Sequence, residues 1–271
     1  MKDLIEKKEY FDKLSILTCR LLNDFIEKAG ESPLLKLDNI EKSEIPVDYF
    51  RFYKSVSSVY SSKIEGEEID FDSYFKYKFL NIKFNPDYTR KADDLYKAYD
   101  FIDGNRLNLE NLQKAHSILS NNILPKSQQG LIRTNPMFVI NSEDKIEYVA
   151  ASPEIVKSEL IKLFEDIELL IETNLSDHEI FYFASFIHLV FVKIHPFQDG
   201  NGRTARLLEK WFLIQKIGEK ASAVQLEKNY YNRINDYYSN IRILGLEYEY
   251  LDYDKSLDFL LMTVSSIGNE K

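Results

Sequence analysis

The sequence predicts a mainly α protein interrupted by one short β-hairpin. Two patterns carry this reading. Apolar residues recur at helical spacing over most of the 271 residues, and between 131 and 150 that spacing gives way to strand-like alternation. Internal repeats and low-complexity stretches are absent, and no composition shift is strong enough to mark two independently folding domains.

Residues 9–29 read as an amphipathic helix through Tyr10, Leu14, Leu17, Leu21, Phe25 and Ile26, ending near Gly30. A polar stretch with Pro33 and Pro46 is expected to be a loop or hinge. Residues 47–65 form the next helix, carrying Val47, Phe50, Val56, Val59, Tyr60 and Ile64, with Gly66 as its C′ stop. Helices follow over 87–103 and 108–121, the latter with Asn108 as N-cap. Phe138 and Ile140, then Ile146 and Tyr148, alternate around Asn141-Ser142-Glu143-Asp144, which predicts a hairpin. Pro153 opens a helix to about 173, and Asp177 precedes a long apolar helix, 178–194. Helices over about 204–217, stopped near Gly218, and over 226–244 and 254–267 complete the chain.

Composition narrows the function. With 44% hydrophobic residues the chain can bury a substantial core. A net charge of −9 argues against nucleic-acid binding, which needs clustered Lys and Arg. One cysteine gives no disulfide framework, the first residues lack an apolar signal core, and the apolar run Phe181 to Ile194 contains His188 and Lys193. A cytoplasmic protein with no membrane partner is expected.

The chemistry concentrates in His195-Pro196-Phe197-Gln198-Asp199-Gly200-Asn201-Gly202-Arg203-Thr204-Ala205-Arg206. Gly200 and Gly202 can take backbone angles closed to other residues, so Gly200-Asn201-Gly202 can aim successive N–H groups into an anion-binding nest. If Leu207, Leu208, Trp211 and Phe212 continue as a helix, its positive end lies at the same place. Arg203 and Arg206, three apart, fall on one helical face where both guanidinium groups can grip a polyphosphate. Asp199 is a single carboxylate at the loop mouth, the usual protein contribution to a Mg²⁺ site beside phosphates. His195 is the group whose ordinary pKa, about 6.5, suits a general base. His116, His178 and His188 have no metal-ligand spacing, and His188, in an apolar helix, reads as a satisfied core histidine.

This run resembles the Fic family signature, His-(Pro)-Phe-x-(Asp or Glu)-Gly-Asn-(Gly or Lys)-Arg-x-x-Arg, at every specified position. Gly130 to Arg133, Phe138-Val139-Ile140 and Tyr148 to Pro153 resemble the family's flap. The resemblance implies a Fic-fold helical bundle with a β-hairpin flap beside the active-site loop. It divides the chain into an N-terminal helical region (1–100), a catalytic core (101–250, with the flap at about 136–150) and a C-terminal helix (251–271). It implies transfer of AMP from ATP to a hydroxyl of a target protein. His195 is then the base and Asp199 the Mg²⁺ ligand. Gly200, Asn201 and Gly202 bind phosphates, Arg203 supports the β-phosphate and Arg206 the γ-phosphate. Phe138, Val139 and Ile140 dock an extended target segment by strand addition. Tyr230 and Tyr231 lie where the family places residues near the adenine, with ordinary packing as the other reading; Tyr231 is carried forward as nucleotide-binding.

Ser61-Ser62-Lys63-Ile64-Glu65-Gly66 fits the family's inhibitory pattern, Ser or Thr, three residues, Glu, then Gly or Asn. A carboxylate in the last turn of a helix faces the negative end of the dipole and wants a cation. Arg206 is the expected partner of Glu65, which would deny the γ-phosphate its clamp. Lys63, Glu67 and Glu68 read as solvated charges. Two other readings stay open: removal of AMP from a modified protein with Glu65 activating water, and a nucleotide-sensing scaffold without turnover. The loop reads phosphates, so UTP or GTP is open beside ATP. Self-modification and a homodimer through the N-terminal helix or Tyr248, Tyr250 and Tyr253 are possible partnerships. Only about 50 residues follow the catalytic helix, too few for core completion plus a winged-helix module, which again disfavours DNA binding.

Overall fold

A computed structural model describes residues 10–39, 48–83, 89–140 and 145–267. The chain runs α1 (Leu22–Ala29), α2 (Pro33–Asp38), α3 (Tyr49–Ile64), α4 (Phe71–Leu80), α5 (Arg90–Ile102), α6 (Leu109–Leu119), β1 (Phe138–Ile140), β2 (Ile146–Val149), α7 (Val156–Glu172), α8 (Asp177–Ile194), α9 (Asn201–Ile217), α10 (Leu226–Asn232), α11 (Ile234–Arg242) and α12 (Leu257–Ser265). The two strands pair antiparallel, Val139 opposite Tyr148, with an irregularity before Ile140. The expected hairpin turn, 141–144, lies outside the described residues, as do Pro46 and Val47.

The bundle is built around α8. Its residues from Ile180 to Phe191 are buried on every face, which is what an all-round apolar helix requires. Ser176 and Glu179 form a reciprocal capping box at its start. Helices α1, α7, α9 and α12 pack on it, and α3 lies across α5, α9 and α10. Among the described residues no helix is long and apolar enough to cross a membrane.

The structure departs from the sequence expectations in four places. The helix expected over 9–29 is not continuous over its described part, 10–29: Ser15, Ile16 and Leu17 donate their backbone N–H groups to the buried carboxylate of Asp166 at 2.7, 2.9 and 2.8 Å. Those donors would otherwise serve a helix, so regular structure resumes only at Leu22. The expected loop after Gly30 contains α2, because Pro33 sits in its first turn and Ser32 caps it. Residues 71–80, to which the sequence assigned nothing, form α4, capped by Asp70 and ended by Asn81 in a left-handed conformation. The C-terminal patterns are also shorter than expected, with α10 and α11 separated at Arg233.

Candidate active site

The site is made where α8 stops and α9 starts. α8 ends at Ile194, and His195 turns into the left-handed region at φ 53°, a conformation that costs a non-glycine residue about 1 kcal/mol. Arg133 holds this turn. Its Nε donates to the His195 carbonyl at 2.7 Å, one terminal nitrogen to Asn135 at 2.8 Å and the other to Ala151 and Ile194 at 2.5 and 3.3 Å. Its backbone N–H also donates to Pro196 at 2.9 Å, so Arg133 fastens the segment before the hairpin to the histidine turn.

His195 Nδ1 lies 3.1 Å from the Val192 carbonyl. A carbonyl only accepts, so Nδ1 carries the proton and Nε2 keeps its lone pair. Burial lowers the pKa of His195 to about 4, reinforced by Arg133, which leaves the imidazole neutral near pH 7.

Asn201 folds the loop that follows. Its amide accepts from the Phe197 N–H at 2.9 Å and donates to the Phe197 carbonyl at 2.8 Å. The side chain is therefore used internally, and only the backbone of Asn201 is left for an anion. α9 begins at Asn201, three residues before the expected start, with Gly200 as a left-handed N-cap at φ 77°. Thr204 makes the first bond back into the helix, to Gly200 at 2.9 Å, so the N–H groups of residues 201–203 have no partner within α9. The special backbone angle expected of Gly202 from the sequence is not found, since its φ is not positive. It lies in the first turn of α9, and a Cβ there would stand 2.6 Å from Glu65 Oε1 and 3.3 Å from an Arg206 nitrogen.

Both arginines point toward the segment around α3's end. Arg206, 1% exposed, donates from Nε to Ser61 Oγ at 2.8 Å and from Nη2 to the Ser61 carbonyl at 3.1 Å and Glu65 Oε1 at 2.6 Å. Its Nη1 donates to the Tyr237 hydroxyl at 3.3 Å. Burial alone would raise the pKa of Glu65, but Arg206 and then Arg203 hold it below the usual carboxylate value. Gly66, at φ 81°, turns the chain immediately afterwards. Glu67 is not the solvated charge that the sequence suggested: its Oε1 accepts from Arg203 Nη2 at 3.3 Å and from Lys91 at 2.6 Å. The buried Nε of Arg203 has no hydrogen-bond partner among the described residues.

Glu65, His195, Arg206, Tyr148 and Tyr238 line one cavity of about 200 Å³. Val139 reaches it from the hairpin, while its neighbours Phe138 and Ile140 are 47% and 60% exposed. Tyr231 stands elsewhere, packed on Tyr60 and under the Lys63 ammonium, and Tyr230 is buried with its hydroxyl on Glu209. The tyrosines of the cavity are Tyr148, Tyr237 and Tyr238, and nothing local in the sequence separates the Tyr237-Tyr238 pair from the earlier Tyr230-Tyr231 pair of the same form. His188 is a buried residue satisfied by Glu209 and Tyr237 at 2.6 and 3.0 Å.

The Fic/DOC family model matches residues 106–213, a span that holds the loop, Arg133 and the hairpin. The chain carries a Fic/DOC domain. Solved structures of similar fold include a Fic family protein from Desulfovibrio desulfuricans G20, with a TM-score of 0.72 and 17% identity over 94% of this chain and 73% of that one. A Fic-domain-containing signaling protein from Bacteroides thetaiotaomicron aligns with a TM-score of 0.61 and 16% identity over 92% of this chain and 93% of its own. Residues 134–508 of Fic-1 from C. elegans align with a TM-score of 0.62 and 14% identity over 91% and 69%. No curated protein matches the chain. At these identities the likeness is one of fold.

Within the Fic/DOC domain, Asp199 is an exposed lone carboxylate at the mouth of the N–H nest, with one oxygen taking the Gly200 N–H at 2.6 Å. Among the described residues no group of three or more His, Cys, Asp or Glu is placed to hold a metal alone. A carboxylate in this position suits Mg²⁺ that takes its remaining ligands from phosphates and water.

Proposed function

We propose that this chain is a protein adenylyltransferase held inactive by its own α3, with Fic-type transfer of a phosphate-containing group to a target as the broader class. One observation carries the reading: a neutral histidine with Nε2 unprotonated shares a cavity with an arginine whose guanidinium is taken by Glu65. In the reaction, a target hydroxyl oxygen bonds to the α-phosphorus of ATP, the bond to the β-phosphate oxygen breaks, and pyrophosphate leaves. His195 Nε2 takes the hydroxyl proton. The N–H groups of residues 201–203 face the phosphate charge, Arg203 and Arg206 neutralise the outer phosphates, and Asp199 would hold Mg²⁺, which supplies charge neutralisation across the phosphates. The exposed face of β1 offers Phe138 and Ile140 to an extended target segment.

The reading is tested by incubating the chain, Glu65→Gly and His195→Ala/Glu65→Gly with α-labelled ATP and Mg²⁺. Label on protein should rise in Glu65→Gly and vanish without His195; equal labelling of all three chains rejects it. A second reading, hydrolytic removal of AMP, draws on the presence of the ionised Glu65 in the same cavity as His195. There Glu65→Gly should abolish release of AMP from a modified protein instead of raising incorporation.

A further inference from the structure

His116, on α6, is fully buried and far in sequence from the catalytic loop, yet its ring is built into it. The Gly130 N–H donates to Nδ1 at 2.9 Å, so in the neutral ring Nε2 carries the proton. That proton is directed at the backbone carbonyl of Asp199, 3.0 Å away. The ring lies flat on Phe197, centroids 3.7 Å apart and planes 14° apart. Gly200 closes over it: a Cβ there would come within 3.4 Å of Nε2. A phenylalanine would fill the same space and stack as well, but it would leave the buried Gly130 N–H and the Asp199 carbonyl without these partners.

We propose that His116 is a positioning residue for Asp199, a single imidazole that ties the segment leading into the hairpin to the peptide from which the Asp199 carboxylate projects. The peptide plane sets the direction of the side chain, and that direction decides whether the carboxylate meets a cation shared with phosphates in the nest. The inference rests on reading Asp199 as the Mg²⁺ carboxylate. Outer hydrogen bonds to metal-binding groups typically matter by about 10–100-fold in metal affinity.

The experiment measures ATP affinity with and without Mg²⁺ in the Glu65→Gly chain, taking the ratio as the Mg²⁺ linkage. Because the readout is binding, a chain that transfers nothing still tests His116, and failure of the transferase reading shows separately as absence of label. His116→Gln sets an amide N–H near the place of Nε2; His116→Asn can serve only Gly130; His116→Phe keeps only the stack. The linkage should fall about tenfold or more in the Asn and Phe variants and stay within about threefold in the Gln variant. Unchanged linkage in folded Asn and Phe variants overturns the proposal, as does a Gln variant as impaired as Phe or a Glu65→Gly chain with no linkage to lose. If the variants do not fold, ¹⁵N spectra of the unmutated chain decide: the Nε2–H tautomer of His116 is expected, and the Nδ1–H tautomer overturns the proposal.

Discussion

Arg206 and Glu65, 141 positions apart in the chain, meet at 2.6 Å, and Ser61 receives the other bonds that the same guanidinium sends toward α3. The pair answers two needs at once. Arg206 is buried and needs an anion, while Glu65 sits at the negative end of α3 and needs a cation. In the proposed function a phosphate meets the first need in place of Glu65, and the contact is then an internal stand-in for that ligand.

The exchange predicts a stability signature. Glu65→Gly leaves Arg206 without its anion and should destabilise the ligand-free chain by about 2 kcal/mol, a moderate figure because the Glu65 side chain is partly exposed. ATP with Mg²⁺ should restore the loss, since binding to the folded state alone raises stability. Thermal unfolding of both chains checks this: the rise in Tm on adding nucleotide should be larger in Glu65→Gly than in the parent.

Glu67 makes a second, weaker closure. It holds Arg203 at 3.3 Å and is itself held by Lys91 at 2.6 Å. Glu67→Ala alone should change little, because Arg206 stays engaged. Added to Glu65→Gly it should tighten ATP by about fivefold, the equivalent of about 1 kcal/mol for a partly exposed ion pair. Calorimetric titration of the single and double variants distinguishes this from a purely solvated Glu67, which would leave the affinity of Glu65→Gly unchanged.

Gly202→Ala should reverse its sign with background. Alanine favours a helix over glycine by about 0.5–1 kcal/mol, but here its Cβ meets Glu65 Oε1 at 2.6 Å. The carboxylate is the far end of a flexible side chain and can swing away, at the expense of its bond to Arg206. In the parent chain the substitution should destabilise, and in Glu65→Gly, where the closest neighbour left is the flexible end of Arg206 at 3.3 Å, it should stabilise. A double-mutant cycle by denaturant unfolding should show coupling of about 1 kcal/mol or more; additive effects would mean the glycine is not there for Glu65.

Contacts between neighbours in sequence were legible, and contacts across it were not. The caps at Asn108 and Gly66, the run of α8 into His195, and the strand alternation at Phe138 and Ile140 are local patterns with local causes. Asp166 takes three N–H groups from a segment about 150 residues away, which no periodicity in residues 9–29 can announce. α4 was missed because Phe71, Tyr74, Phe75, Tyr77 and Phe79 place rings around most of the helix instead of along one stripe. The pairing of Glu65 with Arg206 was anticipated only through a recognised pattern, and Glu67 with Arg203, which lacks one, went unseen. His116 gives no local sign either, because its partners are a backbone N–H and a backbone carbonyl.

The pH dependence of transfer should identify the base. A base must be unprotonated to act, so activity falls as pH drops through its pKa. An ordinary histidine would lose half its activity near 6.5, whereas burial, aided by Arg133, brings His195 to about 4. Glu65 pulls in the other direction, so removing it does not raise the value. kcat/KM reports the free enzyme, which keeps the charge of bound nucleotide out of the comparison. For Glu65→Gly, kcat/KM should therefore stay level from pH 8 down to about 5 and fall below that, with folding followed in parallel by circular dichroism. An acid limb centred near 6.5 would mean that water reaches His195 in the free enzyme and that the burial on which its neutral state depends is lost when Glu65 is removed.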